Sequence, residues 1–119
     1  MSFQFTVKAF QNQDKDVTRR AEGTWQTLKA GDRLMGVEKA MGLKRGEKQK
    51  ALGEVEVVSV RLEPLDSITQ ADVIREGFPD MNPSEFVAMF VRDHAGVTPS
   101  SMVRRIEFRH CRPITKDSR

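Results

Sequence analysis

The stretch EVEVVSVRLEPL, from Glu54 to Leu65, narrows what this chain can fold into more than any other. Val55 and Val57 alternate with glutamates and so share one face of a strand, whereas Val58, Val60 and Leu62 fall on the other. A pattern that changes phase in mid-run requires a bulge or a strand buried on both sides. Pro64 ends the run, because proline has no N–H to give to a central ladder. The rest of the chain therefore has to supply a sheet.

Two helix starts follow. Thr69 is placed to cap the first, with Asp72 three residues on, Val73 and Ile74 to pack, and Gly77 to stop it. In the second, Asn82 caps, Pro83 takes the first helical position, Glu85 closes a capping box and Met81 staples onto Phe86. Phe86, Val87, Met89 and Phe90 form its apolar stripe. Met102 to Arg109 alternates as a final strand. At the other end, Phe3, Phe5, Val7 and Ala9 alternate with polar residues, which predicts a half-buried strand. Trp25 and Leu28 read as an apolar anchor in the core, with a turn at Ala30-Gly31-Asp32 and a second strand from about Arg33. Gly42, Gly46 and Gly53 punctuate a basic loop, and no internal repeat is present. Strands first and helices late argue for α+β with a mostly antiparallel sheet, which can curl into a partly closed barrel to remove its edges.

A chain of 119 residues is one domain by size. No apolar run approaches the ~20 residues of a membrane span, and Met1 to Phe10 lacks a signal-peptide core. The lone Cys111 excludes an internal disulfide, so a reducing cytoplasm is the expected compartment. His94, His110 and Cys111 lack structural-zinc spacing, and no phosphate-cradling glycine loop is present, so neither metal nor cofactor is expected. The net charge of +3 is unevenly spread: cations gather between Lys39 and Lys50 and again from Arg104 to Arg119. That asymmetry suits a polyanionic partner, although an ordinary solvated surface with a basic tail fits it as well.

The segment KDVTRR, from Lys15 to Arg20, is open to several readings: solvated loop, phosphate grip or part of a catalytic pocket. Taken in order with LKAGDRL, LGEVEVVSV, ITQADVIREGF, PSEFVAMF and IEFRH, it resembles the ASCH domain over Phe3 to His110. The resemblance implies a PUA-like fold, a small partly closed barrel with two or three short helices at its rim, over residues 1–110, and leaves 111–119 as a basic, mobile tail. It also implies a cleft that accommodates a nucleobase or a nucleic-acid strand, since such domains are associated with RNA binding and processing. A small bacterial subset hydrolyses N4-acetylcytidine with a lysine, a threonine three residues later and a distant glutamate. Lys15, Thr18 and Glu76 match those positions, and Arg20 matches the arginine after the threonine. The family's glycine two residues before the lysine is replaced here by Gln13, which resists positive φ.

The residues themselves allow both chemistry and plain recognition. A threonine hydroxyl attacks only once a base takes its proton, and a lysine is that base only if burial or nearby cations lower its pKa. Along a strand Lys15 and Thr18 point apart, so the segment must bend for them to meet. Glu76 can give a proton to a leaving amine. Equally, a Lys15–Glu76 ion pair can orient the loop while Thr18, Arg19 and Arg20 hold a phosphate. Arg19, Arg20, Lys44, Arg45, Lys48, Arg104, Arg105 and Arg109 are the candidate nucleic-acid contacts. Trp25 could stack on a base instead of anchoring the core. The leading expectation is an RNA-preferring module that binds a single strand or a modified nucleoside. The alternatives are an amidohydrolase of N4-acylated cytidine and a module for an acidic protein partner.

Overall fold

The computed structural model describes residues 1–38, 45–46 and 50–113. Four strands form one sheet: β1 (Val17–Ala21), β2 (Arg33–Val37), β3 (Ala51–Pro64) and β4 (Met102–Pro113). Their order is β1-β4-β3-β2, and every neighbouring pair is antiparallel. The phase change in β3 is a bulge. Val57 lies opposite Phe108 and Ser59 opposite Glu107, so Val58 is the additional residue, and it turns outward at 44% exposure. Val55 and Val57 are thereby kept in the core, and β3 ends at Pro64 as its missing N–H requires. β4 pairs through Pro113, so Cys111 to Pro113 belong to the sheet and not to a tail; residues 114–119 lie outside the described ones.

The N-terminal segment curls this sheet into a half-barrel. Phe3 N–H donates to Val37 O at 2.8 Å and Val37 N–H to Met1 O at 2.9 Å, which extends the β2 edge in parallel. At the opposite edge, Arg20 of β1 donates to Ser2 O at 2.8 Å. Met1–Phe3 thus spans the gap between the two edge strands, and Phe3, Phe10, Leu52, Val55 and Phe108 fill the interior.

The strand expected over Phe3–Ala9 is not formed; residues Val7–Gln11 are helix α1. Phe3 and Phe10, each 2% exposed, stack at 4.5 Å, while Phe5 is 80% exposed. Phe3 lies in the segment bonded to β2 and Phe10 in α1, so a single strand period cannot describe both. Trp25 is likewise no core anchor. It sits at 36% exposure with φ +56 in the loop between β1 and β2, and phenylalanines occupy the core in its place.

Helices α2 (Gln70–Arg75) and α3 (Pro83–Asp93) start where their capping residues stand. Thr69 Oγ1 accepts from Asp72 N–H at 3.2 Å, and Asn82 and Glu85 form a reciprocal capping box. One turn of 3-10 helix, Leu65–Ser67, precedes α2. Leu65, Ile68, Val73, Phe86, Phe90 and Val103 make a second core between these helices and the sheet. Ile74, expected to pack, is 46% exposed, because a helix this short turns only one side to that core.

Gly36 marks a tight contact between β2 and α1. A Cβ there would stand 2.5 Å from Phe10 Cζ. Gly36→Ala should therefore cost about 1–3 kcal/mol of stability in urea unfolding; an unchanged midpoint would mean that α1 does not pack on β2 as described.

Candidate ligand pocket and active site

Lys15 lies just before β1, and three neighbours fix its backbone. Asp14 and Lys15 N–H both donate to Ala9 O in α1, at 2.8 and 3.2 Å, and Asp16 N–H donates to Arg75 O at the end of α2. The His110 ring Nε2 bonds Lys15 O at 2.8 Å. Lys15 and Asp16 precede the strand, and Gln13, two residues before Lys15, takes φ +63. The glutamine keeps the left-handed conformation that a glycine adopts freely.

Glu76 caps the C-terminus of α2, and Gly77 at φ +101 turns the chain away. Lys15 Nζ donates to Glu76 O at 2.6 Å and to Glu76 Oε1 at 3.2 Å. Glu76 Oε2 accepts from Arg19 Nη1 at 3.0 Å. Lys15, Thr18, Arg19 and Glu76 are all buried, none more than 4% exposed. Burial pushes the Lys15 ammonium below its ordinary pKa; Glu76 opposes this, and Arg20 and Arg19 add to it. Thr18 Oγ1 accepts from Arg20 Nε at 3.2 Å.

Behind this group runs a chain of ion pairs that the sequence did not announce. Arg19 Nη2 reaches both Glu63 and Asp72 at 2.6 Å. Arg105 meets Asp72 through Nε at 2.7 Å and Nη2 at 3.1 Å. Arg105, together with the other Asp72 partner Arg19, holds the Asp72 carboxyl well below the usual carboxylate range against the opposing effect of burial. Desolvation works against the charge on Arg19, but bonds to Asp72, Glu76 and Glu63 outweigh it and raise its pKa. Asp72 is legible in sequence only as a helix-start residue; its partners lie 33 and 53 residues away, so no local spacing signals them.

In front lies a cavity of about 450 Å³. Lys15, Thr18, Arg19, Arg20 and Glu76 form its polar floor. Phe3 and Phe5 from the N-terminal segment, together with Phe78, Phe86, Met89 and Phe90, form an aromatic wall. Ser2, Gln4 and Thr6, with Arg92, Asp93 and His94, complete the lining, and His94 stacks on Phe90 at 3.9 Å. An apolar pocket of this size with a few convergent polar groups suits one small ring-bearing molecule. Of the wall residues the sequence marks Phe86, Met89 and Phe90 as a packing stripe, and Phe86 and Phe90 serve both core and cavity. Among the described residues no three His, Cys, Asp or Glu side chains gather as metal ligands.

The candidate nucleic-acid residues are dispersed. Arg19 and Arg105 are buried within the ion pairs. Arg104 is half-buried and donates to Glu22 O and Thr24 O at 2.8 and 2.9 Å. Arg109 is exposed and pairs with Glu56 at 2.5 Å, and Arg45 is exposed. Lys44 and Lys48 lie outside the described residues. Of the six described, Arg19 and Arg20 line the cavity.

Asp72→Asn should cost about 3 kcal/mol, because it leaves two buried guanidinium groups short of a partner. The folded pKa of Asp72 is depressed, so its pairing stabilises at every pH above the ordinary aspartate value near 4 and fades as pH falls below it. Urea midpoints measured from pH 7 to pH 2 should fall less steeply for the variant than for the wild type; parallel curves would contradict the pairing.

No family model and no curated protein matches the sequence. Solved structures do share its shape. A crystal structure of a DUF984 protein from Enterococcus faecalis V583 aligns with a TM-score of 0.67 at 15% identity, covering 96% of this chain and 74% of that one. The crystal structure of an ASCH domain from Lactobacillus crispatus JV V101 aligns with a TM-score of 0.66 at 12% identity, covering 90% of this chain and 70% of that one. The curled antiparallel sheet with three short helices shares with these structures a small α+β, PUA-like fold.

Proposed function

We propose that the cavity takes the base of an N4-acylated cytidine and that the chain hydrolyses its exocyclic amide. The observation that carries this reading is the buried Lys15–Glu76 pair, 3.2 Å apart, in the lining of a nucleoside-sized cavity that Thr18 also lines. Neutral Lys15 takes the Thr18 proton, and Oγ1 attacks the amide carbonyl carbon. The C–N bond breaks, Lys15 returns the proton to the departing amine, and water then hydrolyses the threonyl ester to a carboxylic acid. Glu76 acts here as a positioning residue. Its two carboxylate oxygens accept from Lys15 and Arg19 and so hold the amine in place. The aromatic wall supplies the stacking surface for the base.

The reading predicts turnover of N4-acetylcytidine, followed by mass spectrometry. The rate should rise with pH as Lys15 loses its proton, and the rise should fall below the ordinary lysine range because burial lowers the Lys15 pKa. Lys15→Ala should lose at least about 100-fold in kcat/KM. Absence of turnover in the wild type, or undiminished turnover in the variant, would contradict the assignment.

A second reading, binding of an RNA strand with one base in the cavity, draws on the net charge of +3 and on the exposed Arg45 within the basic loop. It predicts that the affinity for a short single-stranded RNA falls with log salt, by about 0.7 log unit per phosphate contacted. A salt-independent or undetectable affinity would count against it.

A further inference from the structure

Around the cavity nearly every cation has a carboxylate of its own. Lys15 has Glu76 at 3.2 Å, Arg19 has Glu63, Asp72 and Glu76, and Arg105 has Asp72. Arg75 has Asp16 and Glu107, at 2.9 and 3.0 Å, and Arg92 has Asp93 at 3.4 Å. Arg20 is the exception. The residue is half-buried and lines the cavity, yet among the described residues its guanidinium makes no ion pair. Its partners are neutral: Nε donates to Thr18 Oγ1 at 3.2 Å, Nη2 donates to Ser2 O at 2.8 Å, and the Phe3 ring centre lies 5.3 Å away. Nη1 donates to none of the described residues. Glu76 is close enough to favour the charge on Arg20 through space, but its oxygens are committed to Lys15 and Arg19.

A partly desolvated charge with no counter-charge is unfavourable until one arrives, and a guanidinium fork matches a planar oxyanion in two parallel bonds. We propose that Arg20, with the Thr18 hydroxyl beside it, forms an anion site on the cavity floor, and that the ligand group it receives is a carboxylate. A carboxylate is favoured over a phosphate because a monoanion balances the single unpaired charge of Arg20, whereas a dianion leaves one negative charge over. The inference rests on the cavity being a ligand pocket and not on turnover. If the chain is the amidohydrolase described above, the carboxylate is the acid released from the acyl group. Arg20 would also face the negative charge that grows on the carbonyl oxygen as Thr18 attacks.

The test is thermal unfolding of the whole chain in sodium acetate, with sodium chloride at the same ionic strength as reference and sodium phosphate as a further arm. The wild-type midpoint should rise saturably with acetate, by about 4 °C once acetate stands tenfold above its dissociation constant. Chloride should not reproduce the rise. Arg20→Met should abolish it. Arg20→Gln, which keeps a donor for Ser2 O without the charge, serves the same purpose if the methionine variant does not fold. A wild-type midpoint indifferent to acetate, or an equal rise in both neutral variants, would overturn the site. A rise with phosphate but not acetate would overturn the carboxylate assignment. N4-acetylcytidine turnover in the same preparations separates the two ideas: acetate binding without turnover sinks hydrolysis alone, and turnover without an acetate effect sinks the anion site alone.

Discussion

The Glu76 carboxylate sits between two cations that reach it from a single stretch of chain, Lys15 from 61 residues earlier and Arg19 from 57. Taking a carboxylate, an ammonium and a guanidinium out of water together is costly, and that cost is offset only when every charge finds its partner. Here the pairing continues past Glu76. Arg19 goes on to Asp72 and Glu63, and Asp72 to Arg105 on β4. The chain of ion pairs ties α2 to β1 and to the strand at the centre of the sheet. It passes beneath the cavity, so the same bonds that dock α2 also place Lys15.

The consequence for chemistry is a lysine pulled in two directions. Desolvation favours the neutral amine, while Glu76 favours the ammonium, and desolvation is the larger effect. A lysine in that state can take and return a proton, which a solvated one seldom does near neutrality. Thr18, engaged by Arg20 and not by Glu76, is free of this contest. The floor therefore divides into a balanced half, Lys15 with Glu76 and Arg19, and an unbalanced half, Thr18 with Arg20. A reaction that begins with a neutral amide and ends with a carboxylate would use both halves in turn.

What the sequence made legible was what local spacing controls. The β3 bulge at Val58, the stop at Pro64 and the capping box of α3 each depend on residues within three positions of one another. The order of motifs also placed Lys15, Thr18 and Glu76 at one cavity. The first helix was not legible, because burial of Phe3 and Phe10 is decided by contact with Leu52, Val55 and Phe108 far along the chain. The ion-pair partners of Asp72 were silent for the same reason. Gln13 is the informative exception. The backbone there holds φ +63 without a glycine, at a cost of about 1–2 kcal/mol. Hydrogen bonds on either side, Gln13 N–H to Phe10 O at 3.0 Å and Asp14 N–H to Ala9 O at 2.8 Å, hold it in place. The fold fixes the loop's path, and the residue type adjusts to it.

The most direct measurement is an NMR titration of the Lys15 side chain, labelled at Cε, in the wild type and in Glu76→Gln. The account predicts that Lys15 titrates below the ordinary lysine value in the wild type. It predicts a further fall in the variant, where the one nearby charge that supports the ammonium is gone. A wild-type value at or above that of a solvated lysine, unmoved by the substitution, would mean that Lys15 is not buried against Glu76 and that no such pocket exists.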